Sequence, residues 1–101
     1  MPAYWVARAR IIDPVAYKKY TDLVPGIIEK FGGRVLARGG RYETLEGPKH
    51  FQRYVVIEFP SLEQGVACFN SEDYQRAAAF RRGGAGENEL TMVESGDATP
   101  R

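Results

Sequence analysis

The residues that could do chemistry in this chain are few, and their spacing says more than their number. Arg8 and Glu58 each sit inside a run that alternates apolar and polar residues. If the two runs are parallel neighbouring strands, both side chains emerge on one face and can meet, as a charged pair on the floor of a partly apolar cavity. Such a pair can bind a small carboxylate or tune a proton transfer, and it can equally fix strand register. Tyr17 and Tyr20 stand three residues apart on a helical pattern. They are read either as hydroxyls at a cavity mouth or as core residues with a wet phenolic tip. Tyr4 shares the alternation parity of Arg8, and Arg38 closes a short strand-like run where it can reach a cavity edge and hold an anion. These six residues, Arg8, Glu58, Tyr4, Tyr17, Tyr20 and Arg38, are the candidate ligand set.

Other motifs read as structural. His50 is the sole histidine, in a polar loop without the companions a zinc site needs. Cys68 is the sole cysteine; it can make no internal disulfide and reads as inert packing in a reducing, cytoplasmic setting. Arg38-Gly39-Gly40-Arg41 is a single copy flanked by strand patterns, unlike the repeated Arg-Gly-Gly elements that bind RNA. Gly83-Gly84-Ala85-Gly86 lacks the Lys-Ser/Thr of a phosphate loop. No dinucleotide fingerprint is present, and only His50 could ligate haem, so no cofactor and no metal are expected. The net charge of +1 gives no push toward nucleic acid, and no apolar run is long enough to span a membrane.

The elements that must position these residues follow from periodicity. Tyr4 to Ile12 alternates as a strand. Asp13-Pro14 is a helix start, with Asp as N-cap and Pro in the first turn. Val15, Tyr17, Tyr20, Val24, Ile27, Ile28 and Phe31 form one apolar stripe, which Pro25-Gly26 is expected to kink or break. Gly32-Gly33 ends the helix. Residues 34–38 and 41–45 read as two short strands around a Gly39-Gly40 hairpin turn, and Arg53 to Phe59 as a third. Ser61 to Gln64 fits a capping box. The helix it opens runs to about Phe69, and Ser71 caps a second piece in which Tyr74, Ala77, Ala78 and Phe80 face inward. Glu89 to Glu94 is a final strand, and residues 95–101 a flexible tail.

This order, within one domain over residues 1–94, is that of an α+β ferredoxin-like βαββαβ fold: an antiparallel sheet with both helical units on one face. On the first strand Trp5, Ala7, Ala9 and Ile11 share the face suited to helices; on the third, Val55, Ile57 and Phe59 do. The opposite face carries Tyr4, Val6 and Arg8 with Tyr54, Val56 and Glu58. It is too apolar for a wet sheet surface, so a second copy of the chain is expected to stack on it.

Several stretches together resemble domain-of-unknown-function family 1330. They are Ala3-Tyr4-Trp5-Val6-Ala7-Arg8, Asp13-Pro14 with Tyr17 and Tyr20, Gly32-Gly33-Arg34 through Arg38-Gly39-Gly40, and Val56 to Ser61 followed by Ser71 to Tyr74. The resemblance covers about residues 3–94. It implies the dimeric α/β-barrel superfamily, in which two ferredoxin-like sheets close into one barrel per dimer and whose members include cofactor-free monooxygenases, muconolactone isomerases and haem-using enzymes. Two readings of function follow. One is a homodimeric small-ligand-binding protein, with a cofactor-independent enzyme on a small organic acid or aromatic as its catalytic form. The other is a non-catalytic structural or stress-associated dimeric interaction module.

Overall fold

The alternation of Ala3–Ile11 places this segment as the first strand, β1. Asp13 ends it and caps the helix α1, Pro14–Lys30: its carboxylate accepts from the backbone N–H groups of Val15 (3.1 Å) and Ala16 (3.2 Å). The remaining elements are β2 (Arg34–Arg38), β3 (Arg53–Phe59), α2 (Leu62–Asn70), α3 (Glu72–Arg82) and β4 (Gly86–Glu94). The computed structural model describes residues 1–99; the end of the expected tail, 100–101, lies outside them. Ser95 is tied back through its N–H to the Pro2 carbonyl, 2.9 Å away.

The four strands form one antiparallel sheet in the order β2-β3-β1-β4, the ferredoxin-like arrangement. α1 and α3 pack side by side on one face, with α2 at the end of the same layer. The expected parity holds. Trp5, Ala9, Ile57 and Phe59 are buried under the helices. On the other face Val6 is 45% exposed and Val93 50%, beside half-buried Tyr4, Tyr54 and Val56, so the apolar outer surface is bare in a single protomer.

Four expectations are corrected. First, Pro25 does not break α1, which runs unbroken through it. Pro25 offers no N–H to the Thr21 carbonyl, but the half-buried or buried Val24, Ile27 and Ile28 on either side hold the helix to the core. Second, residues 41–45 form no strand and Gly39-Gly40 no hairpin turn. Both glycines take positive φ (76° and 75°), yet β2 pairs with β3, and the chain leaves the sheet in a long loop. Tyr42 in that loop stacks on Tyr54 at 5.1 Å.

Third, β1 and β3 are antiparallel, because β3 lies between β1 and β2. Arg8 therefore stands opposite Tyr54, and Glu58 opposite Tyr4. Arg8 and Glu58 share the outer face but do not meet. Arg8 pairs with Glu89 (Nη2–Oε1 2.7 Å), and Glu58 with Arg34 (3.5 Å). Fourth, Val15 (76% exposed) and Phe80 (42%) are not in the core. At 100° per residue each lies more than a quarter-turn off the buried stripe of its helix. The stripe of α3 is Tyr74, Ala77, Ala78 and Arg81.

Two substitutions test this packing. Asp13→Ala removes the α1 cap and should cost about 1 kcal/mol. Gly86→Ala would set a Cβ against the Tyr17 ring (2.7 Å from Cδ2) and the Arg10 carbonyl oxygen (3.2 Å). Because the second contact is backbone, a loss of about 1–3 kcal/mol is expected. Urea unfolding of each variant reads both values; wild-type stability in Gly86→Ala would contradict the close approach of β4 to α1.

Candidate functional site

The inner face of β1 places two alanines, Ala7 and Ala9, in the middle of a strand flanked by Trp5 and Ile11. Methyl groups there cannot reach α1. A cavity of about 270 Å³ fills the gap between the sheet and that helix. Val55 and Ile57 of β3 and Val24 and Ile28 of α1 give it an apolar body. Thr21 and Pro25, the pair whose helical hydrogen bond is missing, also line it.

Polar groups enter from two sides. From α1, Tyr17 donates its hydroxyl to Asn88 Oδ1 at 3.1 Å, across to β4. Tyr20, also on α1, shares a 2.7 Å hydroxyl–hydroxyl hydrogen bond with Tyr74 of α3. The Tyr17 and Tyr20 rings meet edge to face at 5.4 Å. From the sheet come Arg53 and Arg38. Arg53 shares the parity of Val55 and Ile57. Arg38 reaches this face through an irregularity in β2: Val35 pairs with Ile57, but Ala37 pairs with Val56, which shifts the alternation by one residue. Without that bulge Arg38 would share the outer face with Arg34.

The electrostatics are one-sided. No carboxylate lines the cavity, and neither Arg38 nor Arg53 makes an ion pair or side-chain hydrogen bond among the described residues. Behind the wall Arg81, 7% exposed, donates from Nη2 to the Tyr74 hydroxyl at 3.2 Å and lies 5.0 Å from the centre of the Tyr20 ring. Burial opposes its charge, but the Tyr74 and Tyr20 oxygens outweigh burial and hold Arg81 above the usual guanidinium value. Burial raises the Tyr17 hydroxyl, with Asn88 and the nearby arginines pulling partly back. Burial, and then the neighbouring Tyr74, push Tyr20 well above the ordinary tyrosine range. Both phenols therefore stay protonated at neutral pH, with the Tyr17 proton held by Asn88.

Of the six residues singled out from the sequence, Tyr17, Tyr20 and Arg38 line this cavity together. Arg8 borders it, with its guanidinium engaged by Glu89 and stacked over the Phe51 ring at 4.2 Å. Tyr4 and Glu58 lie on the outer face, away from it. His50 stacks on Phe51 and lies 3.5 Å from Glu87, also away from the cavity. Cys68 is fully buried, and burial pushes its thiol up to about 11, so it is un-ionised at neutral pH. Among the described residues no cluster of His, Cys, Asp and Glu is suited to a metal ion, and no helix is long and apolar enough to cross a membrane.

Sequence reasoning missed Arg53, Asn88 and Arg81, and read Tyr74 only as an inward-facing core residue. Two of them carried a signal. Arg53 is a charge on an otherwise apolar strand parity, and Arg81 falls at i+7 from Tyr74 on the buried stripe. Asn88 was hidden because β4 begins at Gly86, three residues earlier than its composition suggests.

Comparison with known proteins agrees with the fold. A protein of unknown function from Rhodopseudomonas palustris superimposes with a TM-score of 0.72 at 22% identity, covering 95% of this chain and 83% of its own. A dimeric ferredoxin-like protein of unknown function from Jannaschia superimposes at 0.70 with 10% identity, covering 94% and 100%. SnoaB, a cofactor-independent oxygenase from Streptomyces nogalater, superimposes at 0.55 with 14% identity, covering 99% and 98%. No curated protein matches the chain. The match that carries family membership spans residues 2–95, and by it this chain belongs to the family described as Domain of unknown function (DUF1330).

Proposed function

We propose that this protein is a homodimeric binder of a small organic acid, held in the cavity between α1 and the sheet. The observation that carries the reading is the pair Arg38 and Arg53. Two guanidinium groups without carboxylate partners face an apolar chamber, and a ligand with a carboxylate and an apolar or aromatic body supplies what both lack. The chamber is the size of a single-ring molecule. Structural neighbours of the same fold include a protein described as a cofactor-independent oxygenase and another described as a putative antibiotic biosynthesis monooxygenase, from Caulobacter crescentus. The groups able to handle a proton on its wall are the phenols Tyr17 and Tyr20.

The other face of the sheet supports the dimer. Val6, Tyr54, Val56 and Val93 form an apolar surface with charged pairs at its margins, suited to a second copy stacked about a two-fold axis. Neighbours from Jannaschia and Bacteroides fragilis are described as dimeric. Pairing through this face leaves the cavity, on the opposite side of the sheet, open to ligand in each protomer.

Benzoate is a suitable probe. Its addition should raise the melting temperature of the wild-type protein in proportion to the logarithm of its concentration. Benzyl alcohol, of similar shape but uncharged, should do so far less. Arg38→Ala and Arg53→Ala should each weaken benzoate binding about tenfold, the cost of one charge-assisted hydrogen bond. Ala7→Leu should fill the chamber and abolish binding with the fold intact by circular dichroism. Equal responses to the acid and the alcohol would remove the basis for the reading.

Sedimentation velocity tests the dimer. Wild-type protein is expected at twice the protomer mass, and Val6→Asp at the protomer mass. A monomeric wild type at micromolar concentration would refute the outer-face interface.

A further inference from the structure

Hydrogen-bond donors outnumber acceptors behind the cavity wall. Arg81 can only donate, so the Tyr74 oxygen must accept from it. The Tyr74–Tyr20 hydrogen bond then has two possible directions. If Tyr20 donated, the Tyr74 proton would be left without an acceptor in a side chain that is 0% exposed. A buried donor left unpaired bears its full desolvation cost. If Tyr74 donates, it is satisfied on both sides, and the spare proton belongs to Tyr20. Tyr20 is the member of the trio that lines the cavity. The excess is visible elsewhere in the cluster, since Arg81 Nε is buried with no hydrogen-bond partner. The groups that face Arg81 are Tyr20 and Tyr74, with no carboxylate among them.

We infer that Arg81, Tyr74 and Tyr20 form a directed donor chain that ends in the Tyr20 O–H at the cavity wall, and that the ligand sets an anionic oxygen of the phenolate type against it. Each link strengthens the next: a cation polarises the Tyr74 hydroxyl, which makes the Tyr20 hydroxyl a stronger donor. Tyr20 is the binding residue; Tyr74 and Arg81 are positioning residues that act through it. This inference rests on the cavity being a ligand site. It adds a second polar contact, on the helix side, to the arginines of the sheet.

The probe is 4-nitrophenol, whose visible absorbance distinguishes phenolate from phenol, with nitrobenzene as a control of the same body without the oxygen. Bound to wild-type protein, 4-nitrophenol should ionise at lower pH than in free solution. Tyr20→Phe should cut the preference for 4-nitrophenolate over nitrobenzene about tenfold and leave nitrobenzene affinity unchanged. Tyr74→Phe, outside the cavity, should move the ionisation of the bound probe back toward higher pH by breaking the chain, and it serves as the test if Tyr20→Phe fails to fold. Phenolate preference unchanged in the folded variants would overturn the donor chain and leave the two arginines to account for anion binding. Binding of neither probe to wild-type protein would instead refute the cavity as a ligand site for either.

Discussion

The spacing between sheet and helices is set by an aromatic wedge, and the rest of the protein's architecture depends on it. Trp5 packs against Phe59 at 5.8 Å, Phe69 at 6.1 Å and Tyr74 at 5.2 Å. Rings of this size hold the helical layer off the sheet at one end of β1. Next along the strand, before Ile11, only the methyl groups of Ala7 and Ala9 face the same gap. Close packing is thus satisfied at the wedge and cannot be satisfied beyond it. The cavity is a consequence of putting two small residues after a large one on a single strand parity.

Tyr74 belongs to both regions. Its ring is part of the wedge, and its hydroxyl lies in the polar cluster with Tyr20 and Arg81. The helix pair α1–α3 is therefore joined at this level by hydrogen bonds as well as by packing. A buried polar cluster of this kind constrains the layer more sharply than alkyl contacts do, because its donors and acceptors tolerate little displacement. The rigid part of the core supports one wall of the chamber, while the opposite rim, formed with the short and exposed β2, is the less buried part of the fold.

The two faces of the sheet divide charge as well as greasiness. Outward-facing arginines are matched: Arg8 with Glu89, Arg10 with Glu87, Arg34 with Glu58. Inward-facing Arg38, Arg53 and Arg81 have no carboxylate partner among the described residues. Surface pairs of the first kind contribute little to stability. Positive charge of the second kind, beside or behind a low-dielectric chamber, is felt strongly by any anion that enters it. A net charge of +1 conceals this asymmetry, which exists only once the strands have assigned their residues to faces.

Much of the fold was legible in the chain. Asp13-Pro14, Ser61 and Ser71 mark helix starts through local capping chemistry, which needs no tertiary information. The parity of β1 and β3 identified the buried and the bare face, because alternation is a property of the strand alone. What sequence could not set was register between elements. Strand order makes β3 antiparallel to β1 and separates Arg8 from Glu58. A one-residue shift in β2 turns Arg38 inward, and helical phase brings Arg81 under Tyr20. Each depends on which segments lie side by side, a choice made by packing of the whole chain. By itself, then, the sequence determined the elements, the two-faced sheet and the candidate tyrosines; the cavity and its unpaired arginines were decided by tertiary structure, since a void and a missing counter-ion are relations between segments far apart in the chain.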